Sequence, residues 1–74
     1  MSIMDLKIGE RVTIKDIALP SKIKMRLNEF GVVKGANITL KRMGPFKSTV
    51  EIEILNYHLA LRNTIASKII VGKK

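Results

Sequence analysis

Residues 19–35, LPSKIKMRLNEFGVVKG, constrain this chain more than any other stretch, because they interrupt a strand-like alternation with a short helix of defined start and end. At 100° per residue, Leu19, Ile23, Leu27 and Phe30 share one narrow stripe, the i, i+4, i+8, i+11 pattern of a helix laid on a core. Lys22, Lys24, Met25, Asn28 and Glu29 cover the other sides, and Arg26 stands at the stripe's edge. Pro20 suits an early helical position, where its missing N–H costs nothing, and Ser21 offers a side chain to cap the orphan donors. Gly31 falls where a helix ends in the left-handed conformation that glycine adopts without steric penalty. The stretch predicts about three helical turns, a stop at Gly31 and a turn closed by Gly35.

On both sides the period changes to two. Residues 4–9 read as an entry segment, with Leu6 and Ile8 alternating against Asp5 and Lys7. Over residues 11–17, Val12 and Ile14 face one way and Arg11, Thr13 and Lys15 the other. Residues 36–43 point Ile38 and Leu40 inward and Asn37, Thr39 and Lys41 outward. Residues 49–55 set Val50, Ile52 and Ile54 against Thr49, Glu51 and Glu53. Gly44-Pro45-Phe46-Lys47-Ser48 joins the last two runs with the strongest turn chemistry in the chain, making a hairpin in which Glu51 and Glu53 face Thr39 and Lys41. Asn56 offers a second tight turn into a short strand over 57–61. Residues 63–67 form one helical turn that Asn63 is placed to cap, and 69–71 make a last β-branched strand before a Gly72-Lys73-Lys74 tail. A flat sheet of such short strands would expose its edges, whereas a small barrel removes most of them and gives the inward Val and Ile side chains one interior. The expected fold is mostly β: a small SH3-like barrel of about five short strands, with one α-helix after the first long strand and a short helical turn near the C-terminus.

Seventy-four residues allow one domain, spanning 1–74. A chain this short buries only about 60% of the surface its unfolded form exposes, so its core must be well used. There is no cysteine to supply a disulfide or a thiolate metal site, which suits a reducing compartment. Asp5 and Gly9 interrupt the N-terminus before an apolar run develops, and no later stretch approaches the ~20 apolar residues of a membrane span. The expectation is a soluble cytoplasmic domain with no membrane insertion. A net charge of +8 suits an anionic partner, yet the 14 basic residues are dispersed from Lys7 to Lys74 with no run longer than a pair. Dispersed charge of this kind is the ordinary solubility feature of a small surface.

The residues that carry chemistry do not converge. His58 is the single histidine, and a lone His in an alternating strand reads as a structural or surface residue. Glu51 and Glu53 project from one strand face about 7 Å apart at Cα, a solvated pair facing Lys41 with no third metal ligand nearby. Neither GxGxxG nor GK[ST] is present, and Gly31 ends a helix where a phosphate-loop glycine precedes one. No cofactor, metal or catalytic residue is assigned, and the chain does not read as an enzyme. Nucleic-acid binding is disfavoured because Phe30, Phe46 and Tyr57 are the whole aromatic complement, and Phe30 belongs to the helix stripe. Two apolar residues stand apart: Met25, opposite the stripe, and Phe46, at the tip of the Gly-Pro loop. Together with Lys22, Arg26 and Lys47 they make the candidate docking residues, an apolar spot rimmed by positive charge and suited to an acidic partner. A small barrel with leftover edges and an apolar patch is also open to self-association.

The order of these features resembles FeoA, the ferrous iron transport protein A family. The resemblance is carried by Leu6-Lys7-Ile8-Gly9-Glu10-Arg11-Val12, by Arg26-Leu27-Asn28-Glu29-Phe30-Gly31-Val32-Val33-Lys34-Gly35, and by Tyr57-His58-Leu59-Ala60-Leu61-Arg62, with Ala66 and Ile69 in the closing pattern. It covers essentially the whole chain. Lys34 stands where the family commonly has Pro, and Asn56 where it commonly has Gly, a mild change because Asn tolerates left-handed geometry. The resemblance implies an SH3-like barrel acting as a cytosolic accessory to a membrane ferrous-iron transporter, which it would meet at the transporter's cytoplasmic G-protein domain. The alternative is a free-standing nucleic-acid-binding barrel, or a regulatory domain like the one that closes iron-dependent repressors.

Overall fold

The computed structural model describes residues 1–73. Its strands are β1 (Arg11–Ile17), β2 (Asn37–Met43), β3 (Thr49–Ile54), β4 (Tyr57–Arg62) and β5 (Ile69–Gly72). Helix α1 (Ser21–Glu29) follows β1, and the single-turn α2 (Asn63–Ala66) joins β4 to β5. The strands form one antiparallel sheet in the order β4-β3-β2-β1-β5. Gly72 continues β5 and is not part of a tail, and Lys74 lies outside the described residues.

The alternation predicts the core. Val12, Ile14, Ile38, Leu40, Val50, Ile52 and Ile54 are all buried. They meet directly across the ladders as Val12–Ile38, Ile38–Ile54 and Leu40–Ile52. Each such side chain contributes about 1.5–3 kcal/mol when fully buried. Ile69 and Val71 close the same interior, and among the described residues no polar side chain is buried. Two irregularities adjust the pattern. One, between Ile14 and Asp16, turns Ile17 inward although it is out of step with Val12 and Ile14. The other, between Leu40 and Arg42, leaves Glu53 opposite Thr39 but sets Glu51 opposite Arg42, while Lys41 Nζ reaches Glu53 at 3.4 Å.

The entry segment departs from the expected alternation. Ile3–Asp5 is a 3₁₀ turn closed by a capping box: Met4 N–H donates to the Ser2 hydroxyl at 3.1 Å, and Ser2 N–H donates to the Asp5 carboxylate at 2.9 Å. Ile3 and Leu6 point into the core, whereas Ile8 is 68% exposed on a turn in which Glu10 N–H donates to Lys7 C=O. A turn does not preserve a period of two, so Ile8 points outward.

Helix α1 ends as expected and starts otherwise. Gly31 has φ +88°, its N–H donates to Asn28 C=O, and Val32 N–H donates to Leu27 C=O, both at 3.0 Å. These two bonds are the Schellman closure, and the buried pair Leu27 and Val32 supplies its apolar contact. At the other end Pro20 is the N-cap and Ser21 the first helical residue, and no side chain caps the helix. Leu19 lies before the helix. Asn63 likewise is the first residue of α2, following Arg62, and does not cap it. In the β3–β4 turn the left-handed residue is Leu55 (φ +55°), not Asn56. Leu55 reaches back over Gly31: a Cβ there would stand 2.9 Å from Leu55 Cδ1.

Strands β4 and β5 are the two ends of the sheet order and do not pair with each other. The outer edge of β5 is covered by the N-terminus, where Ser2 bridges Ile70 and Val71 N–H donates to Met1 C=O at 2.7 Å. No strand covers the outer edge of β4 among the described residues.

Candidate docking surface

The outer face of the β2–β3–β4 meander gathers more charge than Lys41 alone. The β3–β4 register places His58 opposite Glu53 and Ala60 opposite Glu51. His58 Nδ1 lies 2.9 Å from Glu51 Oε2, and its Nε2 lies 3.9 Å from Glu53 Oε2. The imidazole thus lies against Glu51 with Glu53 on its far side, a placement that strand spacing alone did not predict because it depends on the hairpin register. Glu53 is shared with Lys41, and the cluster is open to water. Among the described residues no three His, Asp or Glu side chains are gathered so as to hold a metal ion. Nor is any helix long and apolar enough to cross a membrane.

The five candidate docking residues fall on two elements. Lys22, Met25 and Arg26 stand on α1 and are exposed, Met25 to 67%. Phe46 and Lys47 form the tip of the β2–β3 loop, Phe46 being 101% exposed, its ring resting on nothing among the described residues. Both loop residues hold left-handed backbone, φ +57° and +55°. Such a conformation costs a side-chain-bearing residue roughly 1–2 kcal/mol, and no packing of the ring offsets it. Asn63 N–H donates to Ser48 C=O at 2.9 Å, which ties the base of this loop to the start of α2.

A second surface was not anticipated. Of the α1 stripe only Leu27 is buried; Ile23 is 36% and Phe30 47% exposed. Between α1 and β4 runs a groove of about 320 Å³, lined by Ile23, Leu27 and Phe30 on the helix, Leu59, Ala60 and Leu61 on the strand, and Ile65 on α2. Its charged lining residues are Arg26 and Arg62, and no carboxylate lines it. Arg26 is the single member of the predicted set that faces this groove. The sequence held a signal for it, since a helix stripe ending in Phe30 beside an apolar edge strand is a groove wherever the two elements stand apart.

No protein of curated function matches the chain. Among solved structures, the fold is similar to the FeoA protein of Chlorobium tepidum, with 27% identity and a TM-score of 0.92 over 99% of this chain and 70% of that one. It is similar also to iron(II) transport protein A of Clostridium thermocellum, at 25% identity and TM-score 0.91, covering 99% of this chain and 45% of that one. The zinc-complexed FeoA of Stenotrophomonas maltophilia, described as a prokaryotic SH3 domain protein, shares the fold at TM-score 0.81 and 24% identity, over 97% of this chain and 89% of that one. The five-stranded sheet with its helix after β1 is accordingly SH3-like. A family model for the FeoA domain matches residues 1–73. With element order, helix exit and family match in agreement over nearly every residue, this chain belongs to the FeoA family.

Proposed function

We propose that the protein is a cytosolic accessory of ferrous iron uptake that docks on the cytoplasmic G-protein region of a membrane Fe(II) transporter. Membership of the FeoA family supports the iron-uptake role. The docking surface comprises Lys22, Met25 and Arg26 on α1 with Phe46 and Lys47 on the β2–β3 loop. The observation that carries it is Phe46: a fully exposed aromatic ring on left-handed backbone lowers the stability of the free fold, so its benefit lies outside the fold. Aromatic anchors rimmed by cations are what a docking surface for an acidic partner requires. This is a binding role and not a catalytic one.

Pull-down with the transporter's cytoplasmic domain, with and without guanine nucleotide, tests the reading. Met25→Asp and Phe46→Asp are expected to weaken capture while leaving the melting midpoint within about 2 °C of the parent, as befits exposed positions. Absence of capture at low salt, together with tight binding of an oligonucleotide, would replace the adaptor with a nucleic-acid-binding barrel.

A further inference from the structure

The open edge of β4 has a direction. Gly9 N–H donates to Leu40 C=O and Leu40 N–H donates to Glu10 C=O, so the Leu40 backbone faces β1. Backbone direction alternates along antiparallel strands. Thr39 therefore faces β3 and meets Glu53, while Ile52 and Ile54 face β4 and meet Leu59 and Tyr57. His58 and Ala60 are left with N–H and C=O groups aimed away from the sheet, and Arg62 with its N–H, its C=O being taken up as the cap of α2. Ala60 and Arg62 also line the α1–β4 groove.

From this arrangement we infer that the α1–β4 groove accepts an extended peptide segment of alternating apolar and acidic residues, added to β4 as a sixth strand. The free row of donors and acceptors selects extended backbone, since a helix brings no unpaired groups to match it. The floor formed by Ile23, Leu27, Phe30 and Leu59 takes the apolar side chains. Arg26 and Arg62 flank that floor with no carboxylate among the lining residues, so the complementary strand is acidic. A second copy of this chain is the poorer occupant, because it would bring its own Arg26 and Arg62 and a net charge of +8 to the same place. The inference deepens the docking reading by naming the partner's chemistry at the α1 face, and it is testable without the transporter.

The probe is the capped peptide Asp-Leu-Glu-Val-Asp-Leu-Glu, titrated into labelled protein and followed by amide chemical shifts. The expected result is saturable binding that weakens with salt, shifts concentrated at His58, Ala60, Arg62, Ile23 and Phe30, and slowed exchange of the outward β4 amides. Methylating two peptide nitrogens that face β4 removes two hydrogen bonds without touching the protein and should weaken binding about tenfold. Arg26→Glu and Arg62→Glu should each weaken it and flatten its salt dependence. The inference is overturned by no binding, by shifts mapping elsewhere, by equal affinity of the methylated peptide, or by self-association through β4. Failure here with intact transporter capture removes strand addition alone; binding here without capture removes the transporter as partner.

Discussion

Gly31→Ala isolates what the helix exit contributes. Two features of the position could penalise a side chain: its backbone, at φ +88°, and the Leu55 Cδ1 atom 2.9 Å from where a Cβ would stand. Left-handed backbone costs an alanine about 1–2 kcal/mol, and the loss of glycine's freedom in the unfolded chain returns about 0.4–1. The net backbone cost is then close to 1 kcal/mol, or roughly 4–8 °C in melting midpoint for a domain of this size. The contact should add little, because Leu55 is 73% exposed and its terminal methyl can swing into solvent. A thermal-unfolding cycle with Gly31→Ala, Leu55→Ala and the double variant separates the two. A coupling energy below about 0.5 kcal/mol is expected. If Leu55→Ala instead restores most of the loss, the crowding of the β3–β4 turn against α1 governs the position. If Gly31→Ala melts with the parent, the Schellman closure is dispensable, and the account of how α1 is stopped is wrong.

Other substitutions probe other levels of the fold. Phe46→Gly relieves left-handed strain of about 1–2 kcal/mol against an unfolded-chain cost of about 0.5–1, so calorimetry should find the protein equal to the parent or more stable by up to about 1.5 kcal/mol while transporter capture falls. Leu40→Ala empties a fully buried position opposite Ile52 and should cost about 2–5 kcal/mol in urea unfolding, with some loss of soluble protein. Ile8→Ser, on its exposed turn, should change stability by less than about 0.5 kcal/mol; a core-sized loss would restore the alternating entry segment that the structure replaces.

How much of this was legible in the sequence depends on the interaction that decides each feature. Strand faces were legible because burial at Val12, Ile14, Ile38, Leu40, Val50, Ile52 and Ile54 needs only a local period of two and one apolar side. Gly31 was legible because its role is set by its own φ. Features decided by chain reversal or register were not. Ile8 faces water because of a turn, Glu51 faces Arg42 because of an irregularity one residue long, and His58 comes beside Glu51 and Glu53 only once β4 is registered on β3. The caps failed for a related reason. Ser21 and Asn63 are each one residue inside the helix they were expected to open, and helix boundaries are resolved by backbone geometry that a residue type only biases. Leu55 taking the left-handed position beside an available Asn56 has no local explanation; its side chain crossing Gly31 is the long-range contact that accompanies it.

The stripe of α1 shows the same division at the functional surface. A period of 3.6 says which side of a helix is apolar, and it correctly placed Leu27 against the barrel. It does not say how much of that side the protein itself covers. Four turn-spaced apolar residues can be a core face or a binding face, and the difference is whether the opposing element supplies enough area. Here β4 is an edge strand with no sheet neighbour beyond it among the described residues, and the area runs out between Leu27 and its flanking residues Ile23 and Phe30. Apolar side chains left wet on both sides of a buried one, above an unpaired strand edge, are the arrangement from which we infer a sixth strand supplied by another chain. The helix that organises the fold therefore also forms one wall of the proposed groove site, and Arg26 is the residue that joins this wall to the outward docking residues Lys22 and Met25.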